Sequence, residues 1–207
     1  GGPDTQWALK YWPSTRALVS DFVPISPDFH GTLLRDALCP LLDPVLCDPS
    51  VWQQGWDSAF TKALRADDGD SAYVPTTSVY SLTDQIVQPQ GGPNASAILG
   101  DVRRVGVTNT LVQEVCPGQP AGTVYTHEGV LYNPLAWALA ADALTHDGPG
   151  NLSRINLDVV CAQFAAPQLQ LDDVLGSEAA LVIALTHFVT HPHKVVREPD
   201  VMPYAQS

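Results

Sequence analysis

Two side chains frame the chemistry open to this sequence. Asp84 stands in Ser81-Leu82-Thr83-Asp84-Gln85-Ile86-Val87-Gln88-Pro89, just past a run rich in Val, Thr and Tyr. His127 stands in Tyr125-Thr126-His127-Glu128-Gly129, beyond a second β-branched run. An acid past the end of a parallel strand sits where open α/β sheets place their ligands and reacting groups. Taken singly, each residue has a plainer role, the Asp as a turn cap and the His as a structural side chain. Taken together they run acid then base, the order of a triad whose nucleophile comes first in the chain. There the carboxylate orients the imidazole and stabilises its charged form, while the imidazole takes the proton of a serine hydroxyl. The serine needs a sharp turn of the Gly-x-Ser-x-Gly kind. Gly69-Asp70-Ser71-Ala72-Tyr73 comes nearest, but lacks the final small residue and leads into no helical pattern. The chain opens instead with Gly1-Gly2-Pro3 running straight into one, as a cut after Ser-x in Ser-x-Gly-Gly would leave it.

A second chemistry is metal binding by His187, His191 and His193, since histidines four apart on a helix can share an ion. No Cys or acidic residue adjoins them in sequence and Pro192 breaks the helix. The pattern therefore favours histidines at a helix C-terminus, where the dipole welcomes positive charge, and no metal.

The elements that must position Asp84 and His127 follow from periodicity. Helical spacing of Trp7, Ala8, Tyr11 and Trp12 predicts a helix over 3–12, with Pro3 in its first turn and Pro13 as its stop. Residues 17–25 read as a buried strand, 28–48 as loop with a helical piece near 33–38, and 50–64 as mixed helix. Strands are expected over 74–82 and 105–115, around a turn at 67–70 and a Gly/Pro/Asn loop at 91–94. Helices are expected over 132–144 and 172–190. Strands separated by helices predict α/β architecture with a parallel sheet. Three strands are too few to complete a doubly wound domain of 207 residues.

Composition narrows the function classes. Hydrophobic residues make up 45% of the chain, enough for a packed core. A net charge of −12 excludes nucleic acid as a partner and disfavours anionic membranes. The purely apolar runs are too short to cross a bilayer, so no transmembrane helix is expected. Four cysteines (Cys39, Cys47, Cys116, Cys161) allow three pairings. Two sequons, at Asn94 and Asn151, join the even cysteine count in favouring a secreted, extracellular glycoprotein.

Matched blocks then carry a resemblance. Gly1-Gly2 followed by Gln6-Trp7, Pro27-Asp28-Phe29-His30-Gly31-Thr32, Ser50-Val51-Trp52-Gln53-Gln54, Val74-Pro75-Thr76-Thr77, the stretch from Tyr80 to Gln90, and Glu198-Pro199-Asp200-Val201-Met202-Pro203-Tyr204-Ala205 stand in one order. In them the sequence resembles fungal lipases of the Candida antarctica lipase B type, over the C-terminal two-thirds of that family. The resemblance implies a single, incomplete α/β-hydrolase domain over 1–207, holding the C-terminal part of the parallel sheet with its flanking helices. It implies that Asp84 is the catalytic acid and His127 the base, with the nucleophilic serine and the oxyanion donors upstream of Gly1. It places Asp28, Thr32 and Gln54 against the acyl pocket, Ile86 and Val87 on its wall, and Val182, Leu185 and Val189 at its entrance, where plain core packing is the competing role. It pairs Cys116 with Cys161; a second bond between Cys39 and Cys47, close together in a Pro-rich stretch, is expected beside it and has no counterpart in the family. Arg197 stands where the family has a cysteine, and residues 36–48 depart from the family in its lid-like part.

Three functions are thereby open. The first is a monomeric serine carboxylic-ester hydrolase acting on lipid or other apolar esters, in transient contact with a lipid interface and needing no cofactor. On that reading the fragment alone is inactive. The second is a non-catalytic lipid-binding or interaction protein derived from such an enzyme. The third is a metal protein built on the histidine cluster.

Overall fold

The computed structural model describes residues 1–42 and 46–206. Helices α1 (Gly2–Tyr11), α2 (Arg35–Leu42), α3 (Pro49–Gln53) and α4 (Ala59–Arg65) precede strand β1 (Thr76–Tyr80). Strand β2 (Val107–Leu111) runs directly into the single helical turn α5 (Val112–Val115), and α6 (Pro134–Thr145), α7 (Leu157–Cys161) and α8 (Leu171–Thr190) follow. β1 and β2 are parallel, in register from Thr76 opposite Val107 to Tyr80 opposite Leu111. Phe22 and Ile25 make isolated parallel bridges to Thr76 and Val79, so the sheet has two strands with segment 22–25 bridged along β1. All five residues of β1 are buried, as a central strand covered on both faces requires.

The strand expected over 17–25 is only half there. Pro13–Leu18 forms a 3₁₀ helix and Leu18 is 85% exposed. The reason lies at the end of α1, whose last carbonyls need partners. Arg16 Nε donates to the Leu9 carbonyl at 2.8 Å, and the Thr15 hydroxyl donates to that of Trp12 at 2.7 Å. Residues 13–18 are spent on capping, and pairing starts at Phe22. The run expected over 105–115 likewise stops at Leu111. Gln113 then turns the chain back by donating to Ser81 Oγ and the Thr123 carbonyl and accepting from Leu82 N–H.

Helix α1 packs on α4. Trp7 stacks on Phe60 with ring centroids 4.5 Å apart, Tyr204 closes the cluster, and Lys10 Nζ donates to the Ala63 and Ala66 carbonyls at 2.6 Å. Glu198 accepts from the N–H groups of Ala59 and Phe60, so a distant carboxylate sits on the positive end of α4. The main core lies between β1, α6 and the 116–132 connection, and Cys116 bonded to Cys161 is part of it. The second disulfide joins Cys39 to Cys47. Both have Cα atoms 5.3 Å apart, within the usual span. Residues 43–45, inside the lid-like part of the resemblance, lie outside the described residues.

Asn133 opens α6 and supports the loop before it. Its Oδ1 accepts from the N–H groups of Leu135 and Ala136, and its Nδ2 donates to the Ala121 carbonyl, all without solvent. Asn133→Ala removes a cap and strands a buried carbonyl, and is expected to cost about 2 kcal/mol. Chemical denaturation checks this, and a loss below about 0.5 kcal/mol would contradict it.

Helix α8 corrects a composition-level expectation. By length and composition it is long and apolar enough to cross a membrane, although no purely apolar run in it is. Its inward stripe consists of the partly buried Val174, Glu178, Leu181, Leu185 and Phe188, spaced at four and three residues as one helix face demands.

Candidate active site

The ends of β1 and β2 deliver two loops side by side, and hydrogen bonds stitch them together. Thr83 Oγ1 donates to the Tyr125 carbonyl at 2.9 Å and accepts the Tyr125 N–H at 3.0 Å. Gln85 Oε1 accepts the His127 N–H at 2.8 Å, and its Nε2 donates to Glu128 at 2.8 Å. From the segment bridged along β1, the Ser26 hydroxyl donates to the His127 carbonyl at 2.8 Å. The backbone around His127 is therefore held both from the loop after β1 and from the segment ending at Ser26.

Asp84 and His127 meet inside this frame, with Asp84 Oδ2 2.9 Å from His127 Nδ1. The Asp84 carboxylate has no exposed side-chain surface, while 36% of the imidazole is accessible. Its other oxygen, Oδ1, accepts the N–H groups of Ile86 and Val87 at 2.8 Å each, which fixes the carboxylate plane. A carboxylate only accepts, so Nδ1 carries the proton and Nε2 is left basic. Burial pulls the His127 pKa down. The hydrogen bond and charge of Asp84, joined by the charges of Asp28 and Glu128, outweigh it and leave the group above the usual histidine range.

His127 faces a cavity of about 240 Å³ whose wall includes the first residues of α1, Asp28, Gln54 and Val87. Loss of solvation pushes the Asp28 carboxyl up to about 6, against His127, which pulls it down. Gly31 lets residues 28–31 pass close to Gln54: it has φ +75°, and a Cβ there would lie 2.7 Å from the Gln54 carbonyl oxygen.

The remaining expected pocket residues divide. Thr32, Gln54, Ile86 and Leu185 line a separate void of about 60 Å³ under α8. The Thr32 hydroxyl is spent on backbone, donating to the Ile86 carbonyl and accepting from Leu34 and Gln88. Val182 and Val189, 65% and 55% exposed, lie with Leu185 along an outer groove of α8. They are not core. Leu181 and Phe188, which the sequence reading passed over, face the void beside Leu185. The stripe spacing from Val174 to Phe188 was the available signal.

Ser71 is buried and its Oγ accepts the Val102 N–H at 2.9 Å, a structural setting. The histidine cluster also differs from its sequence reading. His191 Nδ1 lies 3.1 Å from Asp48, an acidic partner distant in sequence, and ties the end of α8 to the N-cap of α3. Among the described residues no group of three or more potential metal ligands occurs.

No protein-family profile matches the chain. Lipase B of Pseudozyma antarctica is 34% identical over 211 residues, covering all of this chain and 57% of that protein. The crystal structure of Aspergillus fumigatus lipase B superimposes with a TM-score of 0.95 at 61% identity, covering 99% of this chain and 48% of that one. The chain thus spans about half the length of the relatives it matches.

Proposed function

Since this chain belongs to the lipase B family and folds as an incomplete α/β-hydrolase, we propose that it supplies the acid and base of a serine carboxylic-ester hydrolase acting on lipid or other apolar esters. One observation carries the reading: a buried, doubly anchored Asp84 holds His127 by Nδ1 beside a cavity on which the N-terminus of α1 also opens. On this reading the nucleophilic serine and the oxyanion donors come from residues ahead of Gly1. His127 Nε2 takes the serine proton as the hydroxyl attacks the ester carbonyl, and Asp84 offsets the imidazolium charge. The proton then passes to the departing alcohol, leaving an acyl-enzyme. His127 next deprotonates the water that attacks the acyl carbonyl and returns that proton to the serine oxygen as the acid leaves. The α1 N-terminus contributes positive potential where the oxyanion forms. Asp28, Gln54 and Val87 bound the acyl side. The two disulfides fit an oxidising compartment, and secretion with glycosylation at the exposed Asn94 and Asn151 belongs to the same proposal.

An alkyl phosphonate p-nitrophenyl ester tests this by tagging the nucleophile covalently. In the protein with its upstream residues, the tag is expected on one serine preceding Gly1, and residues 1–207 alone are expected to remain untagged and inactive. A tag on Ser71 or Ser26 of the isolated chain would overturn the assignment. The exposed apolar face of α8 favours a second reading, lipid binding without turnover, and binding to ester-containing vesicles with no tag anywhere would support it.

A further inference from the structure

Helix α8 reaches both loops that carry the proposed acid and base. Leu181 and Leu185 close over Ile86, whose N–H holds Asp84. One turn earlier, Glu178 reaches the His127 loop. Its Oε1 accepts the hydroxyl of Thr126 at 2.8 Å and that of Tyr132 at 2.9 Å. Thr126 Oγ1 in turn accepts the Gly129 N–H at 2.8 Å, so the knot closes around the residues flanking His127. Gly129 makes room for it: a Cβ there would lie 2.7 Å from Thr126 Oγ1, 3.0 Å from Glu178 Oε1 and 3.2 Å from the Tyr132 hydroxyl. Among the described residues, the hydrogen bonds that leave the body of α8 for the rest of the fold run through Glu178. A carboxylate on the inward stripe of a helix this apolar needs a reason, because a buried acid without partners is costly.

We infer that Glu178 is a positioning residue for His127, fixing the imidazole through Thr126 and Tyr132 and transmitting the seating of α8 to the Asp84–His127 pair. The inference rests on the functional reading above for its consequence in turnover, but not for its consequence at the imidazole. Glu178 bonds Thr126 and Tyr132 and not the imidazole itself, so its influence on the ring passes through their positions.

The test is NMR of the His127 ring, with p-nitrophenyl butyrate kinetics on the protein carrying its upstream residues. In Glu178→Leu the Nδ1 proton is expected to exchange with water at least about tenfold faster, and the His127 titration midpoint to fall. kcat should drop about 10- to 100-fold with KM little changed, the scale of a small misplacement of a reacting group. Glu178→Gln should restore both, since its amide oxygen still accepts from Thr126 and Tyr132. Thr126→Val, which cuts one bond of the knot, should move the same readouts part of the way and serves if the leucine variant does not fold. A lowered melting temperature with the His127 resonances unmoved would overturn the inference, as would a glutamine variant no better than leucine. If instead His127→Ala leaves hydrolysis intact, the functional reading fails, while the response of the ring to Glu178 still decides the positioning role.

Discussion

In the protein with its upstream residues, His127→Ala is expected to abolish p-nitrophenyl ester turnover, with kcat falling about 10⁴- to 10⁶-fold. Asp84→Asn should cost about 10⁴-fold, for a reason legible in its hydrogen bonds. Asp84 Oδ1 is committed to the N–H groups of Ile86 and Val87. An asparagine must therefore turn its carbonyl oxygen to that side and present its NH₂ to His127 Nδ1. Nδ1 becomes an acceptor, the ring proton moves to Nε2, and the atom that should take the serine proton is already occupied. The same substitution deletes the main influence that raises the His127 pKa and leaves burial, which lowers it. Because the base must be neutral, the acid limb of the kcat/KM profile is expected to move to lower pH in the residual activity. A histidine-to-alanine variant within about tenfold of the parent, or an Asp84→Asn limb that moves to higher pH, would refute the roles assigned here.

How much of this was legible depended on where the determining interactions lie in the chain. Asp84 and His127 stood out because parallel strands announce themselves by β-branched runs, and chemistry gathers just past their ends. Two anchors of His127, Gln85 and Ser26, did not stand out, since both act on its backbone and Ser26 reaches in from the segment bridged along β1. The run over 17–25 misled because apolarity alone cannot separate a strand from a segment recruited to cap the preceding helix. Arg16 and Thr15, polar residues a short step past Pro13, were the sign of the latter. Helix α8 was found with ends within a residue of those observed, but its inward face could not be told from its outer one. So many of its positions are apolar that Val182 and Val189 looked as good as Leu181 and Phe188, and only Glu178 marked the inward stripe by being out of place there. The Asp48–His191 contact joins elements far apart in sequence, so local pattern could not show it.

The Cys116–Cys161 bond ties the stability of the fold to His127, the proposed base. It closes a segment with a sequence separation of 45 that includes His127, Asn133 and α6. Constraining a loop of that length in the unfolded chain is worth about 4 kcal/mol on the chain-entropy account, against about 2.5 kcal/mol for the short Cys39–Cys47 loop. Both sulfur atoms of the longer bridge are buried in the main core with Val79, Tyr125 and Leu135. Paired alanines are therefore the cleaner replacement, since serines would bury two hydroxyls without partners. Cys116→Ala with Cys161→Ala is expected to lower Tm by about 10 °C in scanning calorimetry, and Cys39→Ala with Cys47→Ala by clearly less. The longer bridge also fixes the base of the connection that delivers His127 to Asp84. In the protein with its upstream residues, ester turnover of the Cys116→Ala, Cys161→Ala variant should therefore be lost at a lower temperature than the α1–α4 aromatic cluster melts, as followed by the indole NMR resonance of Trp7. Equal Tm losses from the two alanine pairs would show that loop length does not govern these bonds. Coincident loss of activity and Trp7 packing would show that the 116–161 segment does not open ahead of the rest.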